Sequence, residues 1–310
     1  IYIINFTMKY VLCRPIGGLI DSFMEIQKCY IYCLKYNRIL LIDTLSKDHY
    51  ENNNCFNFSD FFEFYTNELT IIADASKIKE ILNNKDNNKY TVFPNYIALS
   101  ELQSFTFQKQ IKFNLDIDYN ENVILYMSWS NNTNPNFNFN LAVDLFNKIK
   151  IKKKLFDDFL VKYTKIPKPY NCIHIRNTDL SINLNRFLRK NKELINNSNS
   201  LYISTDSFST INLLKQKNIK FYNFSNLNTD SKNLHSSKLI SGDKKIKDAI
   251  SDLFLISFSK KYVKSIGYFS EFGDYLNKNK ELVIKCINSK NNDYCINYNG
   301  MIYNKQSLNL

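Results

Sequence analysis

From residue 9 to residue 43 the sequence reads KYVLCRPIGGLIDSFMEIQKCYIYCLKYNRILLID. Residues 10 to 13 are a short apolar run of strand length, broken by Pro15, Gly17 and Gly18. Phe23, Ile26, Tyr30, Cys33 and Leu34 then recur mostly at steps of three and four, which places them on one face of a helix over residues 22 to 36. Ser22 is positioned to cap that helix, and Glu25 to complete a capping box. Asn37 and Arg38 close it, and residues 39 to 42 form a second apolar run. The pattern predicts a strand–helix–strand unit with both strands buried.

Further on the signal weakens before it returns. LTIIAD reads as a strand and ASKIKEILNN as a helix, whereas residues 97 to 121 fit neither period. NVILYMSWS is a buried-strand candidate followed by an Asn-rich loop. In residues 141 to 165 Leu155, Phe156, Phe159, Leu160 and Tyr163 share a helical face, and the lysines fall mostly opposite. That is a solvated face rather than a nucleic-acid stripe. IPKPY, residues 166 to 170, holds two prolines close together and marks a boundary between domains spanning 8–166 and 167–310. Beyond it CIHIRNTD, LYISTDS, IKFYNFS and YVKSIG read as strands. FSTINLLKQKN, DKKIKDAISDLFLISFSK and YFSEFGDYLNKNK read as helices, the second with Ile246, Ile250, Leu253, Phe254 and Ser257 on one side. Alternating strands and helices predict an α/β fold with parallel sheets. No solenoid repeat is visible, and the last thirty or so residues carry little pattern.

Composition changes this picture only in part. The chain has 310 residues, 44% hydrophobic and 23% charged, an ordinary globular balance with core enough for two domains. A formal net charge of +12 favours acidic partners, although lysine abundance beside Asn, Ile and Tyr also fits an AT-rich genome. Seven cysteines are scattered without a CxxC pair, so neither a disulfide framework nor a zinc ribbon is indicated. Cys13 and Cys172 sit in apolar runs as expected buried thiols, and free thiols fit a cytoplasmic location. The sequons at Asn5 and Asn131 are expected by chance in so Asn-rich a chain. No apolar run has transmembrane length, and no signal-peptide pattern precedes Met8. The first seven residues are expected to lie ahead of the true start.

Chemistry concentrates where strands should end. RPIGGLID, HIRNTD, STDS and SIGYFSE each close a predicted strand with polar or glycine residues. In a parallel sheet those ends face the N-termini of the following helices, whose free N–H groups suit phosphate. HIRNTD places His174, Arg176 and Asp179 together in a chain with three histidines. A guanidinium fork there can make two charge-assisted bonds to phosphate oxygens. Plainer roles exist for several of these residues. A strand histidine can be a satisfied core group, Gly17 and Gly18 a tight turn, and Asp206 the N-cap of the helix after it. His49 and His235 lie in polar stretches and read as surface residues. Asp116-Ile117-Asp118 has DxD spacing, which chelates a metal in some glycosyltransferases, but it precedes its strand and reads as a loop.

Taken in order, GGLID with YNRILLID, then HIRNTD, then YISTDS, then DAISDLFLISFSKKYVKSIGYFSEFG resemble the fucosyltransferase superfamily of nodulation-type α-1,6-fucosyltransferases and protein O-fucosyltransferases. The likeness is strongest at residues 9–43 and 171–275. It implies a GT-B-like fold, two Rossmann-type domains facing across a cleft, the second holding the donor, usually GDP-fucose. It also implies inverting transfer without an essential metal. The expected acceptor is a glycan or glycolipid, with no cofactor; the basic surface suits an anionic donor and a lipid-linked acceptor at a membrane face, and the scattered lysines speak against a nucleic-acid partner. By the resemblance Arg176 grips the donor diphosphate and His174 faces the nucleotide. Asp206 and Asp252 serve the nucleoside side; Ser265, Phe269 and Ser270 form a phosphate-binding turn; and Gly17 and Gly18 approach the donor. The acceptor base is Asp21, in the glycine loop expected to face the donor, or else Asp179, which could instead fix the Arg176 loop. The chain departs from the pattern at Asn177, where many relatives carry a second arginine, and at Gly267 and Tyr268 in the serine turn. Asn177 keeps one alternative in place, an inactive nucleotide- or sugar-binding relative, and the basic charge another, a nucleic-acid-binding protein.

Overall fold

A computed structural model describes residues 8–45, 56–84, 89–102, 110–128, 135–227, 239–288, 294–296 and 300–304. His49, His235, Cys55 and both sequons lie outside the described residues. The chain divides into two compact units, Ile1–Ile149 and Lys150–Leu310.

The first unit begins with β1 (Tyr10–Pro15), α1 (Leu19–Tyr36) and β2 (Ile39–Ile42). After these come α2 (Phe58–Phe61), β3 (Phe62–Phe64), β4 (Ile71–Ile72), α3 (Ala75–Asn83) and β5 (Val92–Phe93). β6 (Val123–Ser128), α4 (Pro135–Phe146) and β7 (Ile149–Ile151) lead into the second unit. Five strands form a sheet in the order β4-β2-β1-β6-β5, every pair parallel. β1 and β6 are buried along their whole length, which is why both read as unbroken apolar runs rather than alternating ones. Phe23 on α1 packs edge-on against Phe62, ring centres 5.6 Å apart.

α1 starts three residues before the expected cap. Gly17 takes φ +95°, a conformation only glycine adopts without strain, and Gly18 becomes the N-cap. Asp21, not Glu25, closes the box, its Oδ2 accepting the Gly18 N–H at 3.2 Å. Ser22 is buried and donates to the Gly18 carbonyl, while Glu25 is buried and accepts from Lys28 and Tyr126. Asn37 ends the helix in the left-handed region, as its position indicates. The DxD motif lies in a turn, each carboxylate paired with a different cation: Asp116 with Lys35 at 3.0 Å, Asp118 with Arg38 at 3.2 Å.

The second unit continues with α5 (Lys153–Thr164), β8 (Asn171–Ile175), α6 (Leu184–Lys190), α7 (Lys192–Asn196) and β9 (Leu201–Thr205). Next are α8 (Phe208–Gln216), α9 (Gly242–Ser257), β10 (Tyr262–Val263), α10 (Tyr268–Lys278) and α11 (Lys280–Ile287). β11 (Tyr294–Ile296) and β12 (Ile302–Asn304) close it as an antiparallel hairpin. A three-stranded parallel sheet runs β10-β8-β9.

Helix α9 explains where the chain divides. One side faces β9 and the other α5, so polar Asp248, Ser251 and Asp252 are buried beside the predicted apolar stripe. Phe159 of α5 meets Phe254 edge-on at 5.4 Å, and Lys162 reaches Asp248 at 2.9 Å. α5 therefore belongs with the second unit, and the division precedes the prolines instead of falling on them. Lys153 and Lys154 are solvated as expected, but Lys162 is not: its side chain is 13% exposed and ion-paired. Two further expectations change. Residues 141 to 165 form two helices separated by β7. IKFYNFS forms only a single parallel bridge, Tyr222 to Tyr202, because the rest of that segment leaves the sheet. Cys13, Cys29, Cys33, Cys172 and Cys286 are buried thiols.

Candidate functional site

β8 is the central strand of the second sheet, with His174 beside Ser204 and Ile175 beside Thr205 in the parallel register to β9. Parallel pairing carries the loops that follow β8, β9 and β10 to one sheet edge, so residues distant in sequence converge there. The Arg176 backbone N–H donates to Ser265 Oγ at 2.9 Å, across 89 residues of sequence. Asp206, buried after β9, accepts the Asn177 N–H at 3.0 Å and the Thr178 hydroxyl at 2.6 Å. Ser207 rather than Asp206 is the N-cap of α8, accepting from the Thr210 N–H. Asp206 is the anchor of the loop after β8.

The Arg176 side chain is held on two sides. Nη2 stands 2.6 and 2.9 Å from the two oxygens of Asp179. Nε lies 3.1 Å from Asp206 Oδ2 without hydrogen-bond alignment. Nη1 has no hydrogen-bond partner among the described residues, and the side chain is 18% exposed. Asn177, where the resemblance has a second arginine, turns inward and donates to Thr210 Oγ1 at 3.0 Å.

His174 lies beneath this loop. Nδ1 is 3.0 Å from Ser270 Oγ and 3.2 Å from Ser265 Oγ, and its ring packs on Phe269 with centres 5.2 Å apart. Burial, reinforced by the nearby Arg176 charge, pushes its pKa down to about 3, so it is a neutral imidazole at physiological pH. Ser270 also accepts the Ser265 N–H at 2.9 Å. Gly267, at φ +93°, is the N-cap of α10, with Tyr268 the first residue of that helix. The serine turn is thus built around His174 and the backbone of Arg176.

Asp252 is set one layer deeper, on α9. It accepts from Ser204 at 2.6 Å and from Ser225 at 3.0 Å, and also bonds Tyr202. Burial raises its pKa to about 6 against the pull of those hydroxyls. It joins the site only through Ser204, the sheet neighbour of His174.

In the first unit Gly17, Gly18 and Asp21 form the turn described above, at the carboxyl end of β1. The sequence reading passed over Arg14 beside it. Arg14 is 2% exposed, donates from Nε to Asp43 Oδ2 at 2.8 Å and from Nη2 to the Leu102 carbonyl at 2.5 Å. Its buried Nη1 has no acceptor among the described residues. The signal was an arginine inside the apolar run VLCRP. Thr178, Ser204, Thr210 and Ser225 were also missed, since hydroxyl residues are too common to stand out.

No protein-family model and no curated protein matches the sequence. Solved structures match the fold. A structure of NodZ alpha-1,6-fucosyltransferase soaked with GDP-fucose matches at TM-score 0.58 and 14% identity, over 96% of this chain and 99% of that one. Fucosyltransferase NodZ from Bradyrhizobium matches at 0.55 and 16%, over 96% and 98%. POFUT1 in complex with GDP-fucose matches at 0.53 and 9%, over 87% and 94%. The chain shares the fold of these solved fucosyltransferases. This agrees with the α/β class and parallel sheets expected from the sequence. Among the described residues, no group of three or more His, Cys, Asp or Glu side chains is placed to hold a metal ion. No described helix is long and apolar enough to cross a membrane.

Proposed function

We propose that the chain is a glycosyltransferase that moves fucose from GDP-fucose to a hydroxyl of a glycan or glycolipid acceptor, with inversion and without a metal. The observation that supports this most directly is Arg176 at the carboxyl end of β8, its Nη1 without a hydrogen-bond partner among the described residues, in a fold shared with a transferase soaked with GDP-fucose. In the reaction the acceptor oxygen attacks the anomeric carbon, the bond to the β-phosphate oxygen breaks, and its electron pair leaves on GDP. Arg176 stabilises the charge developing on that diphosphate. His174, neutral and buried, shapes the floor of the phosphate site, and Asp252 with its hydroxyl partners lies on the nucleoside side. The acceptor proton passes to Asp21. Asp179 lies beside the guanidinium on the leaving-group side, whereas the base must take the proton of an acceptor that attacks from the opposite face.

Thermal stabilisation by GDP-, UDP- and dTDP-sugars, with and without added divalent cation, tests the reading. GDP-fucose should stabilise the wild type without metal, and Arg176→Ala should weaken binding roughly ten- to a hundredfold, the scale of a charge-assisted hydrogen bond. Stabilisation by another nucleotide class, or none, would remove GDP-fucose as donor. One observation favours a second reading, a binding protein without turnover: Asn177 is fastened to Thr210 instead of offering a second cation. Donor consumption in the presence of candidate acceptors separates the two.

A further inference from the structure

A guanidinium offers a diphosphate two forks, the Nε/Nη2 edge and the Nη1/Nη2 edge, and Nη2 belongs to both. In this structure Nη2 is taken by both oxygens of Asp179, at 2.6 and 2.9 Å. The Nε/Nη2 edge is further closed by Asp206, 3.1 Å from Nε. Two-point binding of a diphosphate therefore needs Asp179 to release Nη2, and use of the Nε/Nη2 edge would need Asp206 to withdraw as well.

The two carboxylates are not equivalent. Asp206 has a side chain 7% exposed and holds the base of the loop, through the Asn177 N–H and the Thr178 hydroxyl. Its release would unfasten the loop that presents the arginine. Asp179 is 37% exposed, three residues from Arg176 in the same loop, and accepts the Leu180 N–H. Swinging it into water leaves the Asp206 contacts in place. We infer that Asp179 is an exchangeable counter-ion of Arg176, displaced from Nη2 when the donor diphosphate binds, while Asp206 is the fixed positioning residue. This rests on the diphosphate reading above and goes beyond it: Asp179 sets donor affinity by competing for the arginine, instead of adding to the grip. Removing its charge should strengthen binding, whereas loss of a base would leave it unchanged and loss of a fastening residue would weaken it.

The experiment is calorimetric titration of wild type, Asp179→Asn and Asp206→Asn with GDP and with inorganic pyrophosphate, at two salt concentrations. The expected result is about fivefold tighter GDP binding in Asp179→Asn, the upper range for a solvent-accessible ion pair, with the gain shrinking at high salt. Asp206→Asn should bind GDP at least about tenfold more weakly, because the guanidinium is no longer pre-oriented. Unchanged or weaker GDP binding in Asp179→Asn overturns the exchange and leaves the GDP-fucose reading standing. Pyrophosphate binding that tightens in Asp179→Asn, without any preference for GDP, supports the exchange and removes that reading. Failure of both ligands to saturate the wild type overturns both.

Discussion

Two buried groups of the second unit give its stability an unusual pH profile that one substitution should expose. Asp252 has its pKa raised to about 6 from 3.8 by burial. Between about pH 4 and 6 the folded chain keeps a proton there that the unfolded chain has lost, so stability falls as pH rises. At roughly 1.4 kcal/mol per unit the full span is about 3 kcal/mol. His174 acts in the opposite sense, because burial holds its pKa at about 3 against 6.5. The unfolded chain takes up a proton below about 6.5 that the fold refuses, so stability falls as pH falls through the same interval. From about pH 4 to 6 the two slopes offset each other in the wild type. Asp252→Asn removes one of them. The difference in unfolding free energy, variant minus wild type, should climb by about 1.4 kcal/mol per unit between pH 4 and 6 and level off above. Lost hydrogen bonds to Tyr202, Ser204 and Ser225 shift that curve vertically without tilting it. Urea unfolding followed by circular dichroism at half-unit pH steps measures it. A flat difference curve, or one that descends, would refute the assignment of a buried, protonatable Asp252.

Two other substitutions probe the first unit. Gly17→Ala places a Cβ 3.0 Å from that of Asp21 at φ +95°, and should cost about 1–3 kcal/mol in urea unfolding; a cost under about 0.5 kcal/mol would mean the turn relaxes freely. Arg14→Met removes the buried ion pair to Asp43, which is 8% exposed, and should cost about 3–5 kcal/mol, with partial recovery when Asp43→Asn is added; equal instability of single and double variants would show that packing, not charge, is responsible.

The parts of this protein written locally are those the sequence predicts well. β1, β2 and β6 are apolar runs because both faces of a parallel strand are covered. The α1 stripe follows the 3.6-residue period, and Asn37 ends the helix where an αL residue is needed. His174, Arg176 and Asp179 stood out because charged and titratable side chains at the end of a buried strand need a reason to be there. The start of α1 was misplaced since Ser22 has the chemistry of a cap, while the cap actually used is a glycine whose only asset is its backbone. IKFYNFS has strand composition but pairs at a single point, because pairing is decided by the neighbouring strand and not by propensity.

The sequence by itself determined the alternation of strands and helices, and with it the α/β class, and it determined which strand end carries the polar residues. It did so because hydrophobic period and run length are properties of consecutive residues. Only the tertiary structure decided what those polar residues hold. By sequence Asp206 could be a cap or a nucleoside contact; parallel register adds that it sits under Asn177 and Thr178 and holds their loop. The prolines at 166–170 assign α5 to the first domain, whereas Phe159 and Lys162 pack it against α9 of the second unit. Arg176 reaches Ser265, and Arg14 reaches Leu102, across more than eighty residues. Such partners are chosen by strand order and register, which depend on the whole sheet closing at once, and no short window of sequence contains that information.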